Sequence, residues 1–101
     1  MNPDDILKLD QLVHAPIRLS ILSILCTAES ASFTYLKEAT GASDGNLSPN
    51  LTKLEKHGYI SIEKKFVDKK PQTVCTITEK GRDALLKHLE QLEQIIAMQK
   101  K

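Results

Sequence analysis

Ser43-Asp44-Gly45-Asn46-Leu47-Ser48-Pro49-Asn50-Leu51-Thr52-Lys53-Leu54-Glu55-Lys56-His57-Gly58-Tyr59-Ile60 is the stretch that decides how this chain folds. Leu47, Leu51 and Leu54 recur at steps of four and three, the spacing that places side chains on one face of an α-helix. The opposite face carries Pro49, Thr52, Lys53 and Lys56, flanked by Asn46, Ser48 and Asn50. One side of this helix is therefore core and the other is polar and partly basic. Gly58 ends it. Its start has two readings: Ser48 followed by Pro49 is a cap and first-turn pair, whereas Ser43 as the cap requires a distorted first turn, because Pro49 donates no amide and crowds Gly45.

Upstream, Phe33 anchors the chain and Thr34 caps a short helix, Tyr35 to Thr40, stopped by Gly41. Only Gly41, Ala42 and Ser43 separate the two helical patterns, and two short helices joined by such a turn predict a helix-turn-helix. Glu29-Ser30-Ala31-Ser32 reads as a loop. Before it, Pro16 opens a helix in which Ile17, Ile21, Ile24, Leu25 and Ala28 recur at helical spacing, the centre of the core. A first helix is expected from about Pro3 to Val13, with Ile6, Leu9 and Val13 on one face.

Downstream, Tyr59 to Val67 alternates Ile60, Ile62 and Phe66 with polar residues, and Gln72 to Ile77 is a second β-prone run. Asp68-Lys69-Lys70-Pro71 joins them as a tight tip, so the hairpin presents Lys64, Lys65, Lys69 and Lys70. Thr78 caps a last helix, Glu79 in its first turn, that runs to about Met98 with Leu85, Leu89, Leu92 and Ile96 as a short heptad seam.

The chain has 101 residues and 41% are apolar, which suits one soluble domain of modest core over residues 1–101. No apolar run approaches the roughly 20 residues that cross a bilayer, and the acidic amino end, Asp4 and Asp5, is unlike a secretory signal; a cytoplasmic location is expected. Cys26 and Cys75 stand apart, without a second ligand nearby, and read as buried free thiols. His14, His57 and His88 share no spacing and read as helix-end or surface residues. No metal and no cofactor is expected. No nucleophile stands with a base in a recognisable motif and no glycine-rich phosphate loop appears, so the chain is not read as an enzyme.

The net charge is +1, yet it is unevenly spread. Residues 1–43 carry three basic and five acidic residues, a balance of −2, and residues 44–82 carry eight basic and five acidic, a balance of +3. The last segment is neutral. Positive charge thus gathers on the amphipathic helix and the hairpin that follow the turn. A helix fits the DNA major groove, Asn has the geometry for a bidentate contact to adenine, and lysines suit phosphate. Asn46, Ser48 and Asn50 are the expected base readers; Lys53, Lys56, Lys64, Lys65, Lys69 and Lys70 are the expected backbone contacts, with Thr34 and Pro49 on the same DNA-facing set. The seam and the amphipathic first helix predict a homodimer face from Ile6, Leu9, Val13, Leu85, Leu89, Leu92 and Ile96. The rival reading is a protein-binding module of the same fold, kept open by the near-neutral total charge.

From about Leu12 to Leu92 the chain resembles the winged helix-turn-helix transcriptional regulators akin to the MarR and ArsR families, in particular a small single-domain group. The resemblance is carried by Val13-His14-Ala15-Pro16-Ile17-Arg18-Leu19, Ser43-Asp44-Gly45-Asn46-Leu47-Ser48, Leu54-Glu55-Lys56-His57-Gly58-Tyr59-Ile60, Lys70-Pro71-Gln72-Thr73 and Ile77-Thr78-Glu79-Lys80-Gly81-Arg82. It implies a mainly α fold with a small β-hairpin, in the order α-α-α-α-β-β-α. It also implies regulation at a promoter, a dimer built from helices 3–13 and 79–98, a recognition helix over 44–57 in the major groove and a wing over 64–71 on the backbone. It favours a helix starting near Asp44, with irregularity around Pro49. Two departures stand out: Pro49 lies where such regulators carry a residue able to reach DNA, and the cysteine-rich metal-sensing motif of some ArsR relatives is absent. Any small-molecule effector is left unknown.

Overall fold

The computed structural model describes residues 9–100. The elements in chain order are α1 (Gln11–His14), α2 (Pro16–Ala28), β1 (Ser30–Ser32), α3 (Phe33–Thr40), α4 (Asp44–Lys56), β2 (Ile60–Val67), β3 (Lys70–Ile77) and α5 (Glu79–Met98). Helices dominate, with one antiparallel three-stranded sheet in the order β1-β3-β2.

The expected helix over 3–13 does not run unbroken to Val13. Asp10 is extended, with φ −64° and ψ 106°, and its carboxylate accepts the amides of Leu12 (2.9 Å) and Val13 (3.3 Å) as the cap of a single turn. Ile6 and the rest of residues 3–8 lie outside the described residues.

The segment read as a loop is a strand. Glu29 takes a left-handed φ of 69° at the end of α2 and turns the chain so that Ser30, Ala31 and Ser32 pair with Thr76, Cys75 and Val74. The cap of α3 is accordingly Ser32, whose Oγ accepts the Tyr35 amide at 3.1 Å, and not Thr34.

The core collects Ile21, Leu22 and Leu25 of α2, Leu36 of α3, Leu47, Leu51 and Leu54 of α4, Ile60 and Cys75 of the hairpin, and Leu85 of α5. Each buried aliphatic side chain contributes roughly 1.5–3 kcal/mol. Val13 and Leu85, expected at a dimer face, are in this core with 0% and 2% of their surface exposed, and Leu9 is 6% exposed. Side chains already surrounded by their own protomer have nothing left to offer a partner.

Burial lifts the Cys75 thiol to about 11, with the Glu55 carboxylate adding to the shift. Cys26 is only half-buried, which corrects the expectation of a buried thiol there; Arg82 reaches its carbonyl (2.9 Å) and Sγ (3.2 Å), fastening α5 to the end of α2.

Two residues set the direction of the hairpin relative to α5. Thr78 Oγ1 donates to the Gly58 carbonyl at 2.6 Å and accepts from the Gly81 amide at 3.0 Å, while the Thr78 amide donates to the Tyr59 carbonyl at 3.0 Å. Gly81 is buried against the same backbone: a Cβ there would lie 2.1 Å from the Tyr59 carbonyl oxygen. Only glycine permits this approach.

Candidate nucleic-acid interface

Helix α4 starts at the earlier of its two possible caps. Ser43 Oγ accepts the Asn46 amide at 3.3 Å, and the helix runs unbroken through Pro49 to Lys56. Pro49 leaves the Gly45 carbonyl without its usual amide partner four residues on. Asp44, in the first turn, pairs with Lys37 of α3 at 2.9 Å; both side chains are exposed, so the pair contributes little to stability. Between these helices Gly41 adopts φ 71° and its amide caps the Lys37 carbonyl.

Leu47, Leu51 and Leu54 hold the inner face of α4 in the core. Asn46, Ser48, Pro49, Lys53 and Lys56 are all exposed on the outside. Asn50 is not equally free. Its side chain is half-buried, its Oδ1 accepts from Arg18 Nη1 at 2.7 Å, and its Nδ2 donates to the Asn46 carbonyl at 2.6 Å. A bidentate contact to adenine needs that oxygen and that amino group together. The expectation of Asn50 as a free base reader is therefore corrected: its amide edge already binds within the protein.

Arg18, to which sequence reasoning assigned no role, makes this link. Its Nε donates to the Leu12 carbonyl at 2.6 Å, so one guanidinium ties the end of α1 to the middle of α4. The residues are 32 apart, and only the resemblance to known regulators had drawn attention to Arg18.

The hairpin closes through Asp68 and Lys69, both left-handed at φ 52° and 67°, the geometry of a two-residue type I′ turn. Lys70 and Pro71, expected in the tip, belong to β3 and pair with Val67 and Phe66. Since the turn closes on the Val67–Lys70 pair, Phe66–Pro71 is the next, non-hydrogen-bonded pair. Proline is accommodated there because β1 pairs only with residues 74–76 and leaves that edge open.

Strand alternation sorts the hairpin into two faces. Ile60, Ile62, Lys64 and Phe66 share the face turned to the core, opposite Ile77, Cys75, Thr73 and Pro71; Lys65 and Val67 lie on the other. Lys65 approaches Glu63 at 3.6 Å in an exposed pair. Lys64, Lys69 and Lys70 are exposed. Ser48 and Thr52 of α4 and Ile62 and Thr73 of the hairpin line one cleft of about 360 Å³, so the polar flank of the helix and the inner face of the hairpin open to the same side. Thr34 instead borders a hollow with Asp68, Lys70 and Gln72, beside the hairpin.

A second constellation escaped sequence reasoning. His88 of α5, expected at the surface, is fully buried. Its Nε2 lies 3.1 Å from Nδ1 of His14, 74 positions away, with the rings edge-on. Burial and the neighbouring His14 charge lower the His88 pKa below its ordinary value, against an opposing pull from Asp10. The Tyr59 hydroxyl donates to Asp10 Oδ2 at 3.3 Å; burial and then the Asp10 charge raise its pKa. No sequence spacing connects these residues. Among the described residues, no group of three or more His, Cys, Asp or Glu side chains is placed to hold a metal ion, and no helix is long and apolar enough to cross a membrane.

Residues 17–96 match the family model described as a winged helix DNA-binding domain. The chain belongs to that family. An uncharacterised protein of Methanocaldococcus jannaschii is 33% identical to this winged helix chain over 85 residues, 84% of this chain and 92% of that protein. The structure of a transcriptional regulator homologue from Pyrococcus horikoshii superposes with a TM-score of 0.86 at 25% identity, covering 93% of this chain and 95% of the other. The fold is also that of NadR, solved in complex with 4-hydroxyphenylacetate (TM-score 0.73, 20% identity, 91% of this chain and 65% of that one). An ArsR family transcriptional regulator shares it too (TM-score 0.60, 16% identity, 96% and 95%). In family this is a winged helix DNA-binding domain, and its fold is shared with transcriptional regulators, an ArsR family member among them.

Proposed function

We propose that two copies of this chain, each a single winged-helix domain, bind double-stranded DNA sequence-specifically as a homodimeric transcriptional regulator. In each copy α4 lies in the major groove and the hairpin, as the wing, lies along the backbone. The observation that carries this reading is the common outlook of the exposed α4 flank and the inner hairpin face onto one cleft. Asn46 and Ser48 are the uncommitted polar groups at the start of α4 and read base edges. Lys53, Lys56, Lys64, Lys65, Lys69 and Lys70 neutralise phosphates, with Thr34 beside the wing and Pro49 packed against the groove wall.

Dimerisation is supported by α5. Its described buried residues are Gly81, Leu85 and His88, whereas Leu86, Leu89 and Ile96 are 48%, 38% and 54% exposed on one stripe. Leu92, half-buried, borders that stripe. A two-fold pairing there sets two recognition helices in successive major grooves, about 34–36 Å apart.

Selection of bound fragments from random duplex DNA with the purified protein, followed by binding titrations over a salt series, tests both parts. The expected result is an inverted-repeat site and a binding constant whose logarithm falls with log salt by about 0.9 per phosphate neutralised. Recovery of unrelated fragments, or sedimentation of Leu89→Glu and the parent at the same monomeric mass, overturns the dimeric, sequence-specific reading.

A further inference from the structure

Phe66 is 80% exposed, the highest value among the large apolar side chains of the described residues. It sits two positions before the Asp68–Lys69 turn, with Pro71 directly across the hairpin. Exposing a phenyl ring at the end of a protruding hairpin has no structural return: the ring touches no core, and the turn itself is fixed by backbone conformation. Lys64 shares the ring's face of the hairpin, Lys69 sits in the turn and Lys70 lies on the opposite face, all exposed. An apolar protein partner fits such a cationic hairpin end poorly; a polyanion whose interior surface is apolar fits it well.

The reach is appropriate. Ile62 lines the cleft beside α4, and Phe66 lies four residues further along β2 on the same face, about 13 Å at a strand's rise per residue. With α4 in a major groove, the neighbouring minor groove is half a helical turn away, about 17 Å. Its width of about 6 Å excludes a helix but admits a single ring at a hairpin tip.

We infer that Phe66, backed by Pro71, is an apolar wedge that enters the minor groove flanking the major groove held by α4, while Lys64, Lys69 and Lys70 hold the two phosphate walls. The wing then contributes apolar contact to sugars and base steps in addition to charge, and senses whether the groove floor is open. This rests on the DNA-binding reading above, and the experiment separates the two.

Binding of the parent, Phe66→Ala and Phe66→Leu to duplexes recovered by selection is measured by fluorescence anisotropy over a salt series. Phe66→Ala is expected to weaken binding roughly tenfold, from the lost burial of a ring, with an unchanged slope against log salt. Phe66→Leu, which keeps an apolar wedge, retains most of the affinity. Replacing flanking G·C pairs by inosine·C removes the guanine amino group from the minor groove and leaves the major-groove acceptors intact. The parent gains affinity on that change and Phe66→Ala does not.

Because the ring touches no core, both variants keep the parent's melting temperature, so folding does not confuse the result. If Phe66→Ala binds as the parent does, or if it alters sedimentation instead of DNA affinity, the wedge is overturned and the DNA-binding reading stands. If the parent itself fails to bind any duplex at low salt, both fall.

Discussion

At its base the β2–β3 hairpin is held on every side: Ile60 and Ile77 are buried, the Tyr59 carbonyl takes the Thr78 amide, and Gly81 presses against the same peptide with room for no side chain. At its tip Phe66 stands in solvent and two consecutive left-handed residues make the turn. The base spends packing on direction, so that the wing projects at a fixed angle from α5. The tip keeps its chemistry uncommitted, as a surface meant for something outside the molecule is expected to do.

The largest effect belongs to Gly81→Ala, whose methyl overlaps the Tyr59 peptide; a loss of about 3 kcal/mol or more is expected in urea denaturation. A fully stable variant shows that the base yields and that the hairpin angle is not fixed there.

A smaller effect comes from His88, also at the base through Asp10 and Tyr59. Its pKa is lowered in the folded chain, so the unfolded chain binds the proton more readily. Stability is therefore full above the ordinary value near 6.5 and declines as pH falls through the lowered value. Thermal melts between neutral and mildly acidic pH are expected to show this decline, and His88→Leu to flatten it. A slope that persists in His88→Leu assigns the titration elsewhere.

The smallest change is expected at the tip. Lys69→Gly relieves a left-handed side chain and raises stability by about 0.5–1 kcal/mol, while the salt slope of DNA binding falls by about 0.9. Stability and affinity moving in opposite directions, read by calorimetry and anisotropy, would mark the tip as shaped for a partner and not for the fold.

Most of the fold was legible because its signals are local. The Leu47, Leu51, Leu54 stripe, Pro16 at a helix start and Thr78 as a cap each write their element within a few residues, and α2, α4 and α5 follow. Strand β1 was not legible: three residues are too few to show alternation, and what makes them a strand is pairing with Val74–Thr76, more than forty positions away. Ser32 was passed over as the α3 cap for the same reason, since β1 delivers it there. At the candidate interface, Asn46, Ser48, Lys53 and Lys56 are exposed on α4 as their spacing predicts, whereas Lys70 lies in β3 and not in the tip. The loss of Asn50 to Arg18, the burial of Val13 and Leu85, and the meeting of His14 with His88 all depend on which helices pack together, and no residue spacing encodes that.

Under the proposed reading, the commitment of Asn50 to Arg18 narrows the vocabulary of α4. In the proposed mode Asn46 and Ser48 read a couple of base pairs per copy, each good contact discriminating by about 1–3 kcal/mol. A half-site alphabet that short occurs by chance throughout any genome, so fidelity has to be recovered from the distance between two such words and from the pliancy of the duplex that joins them.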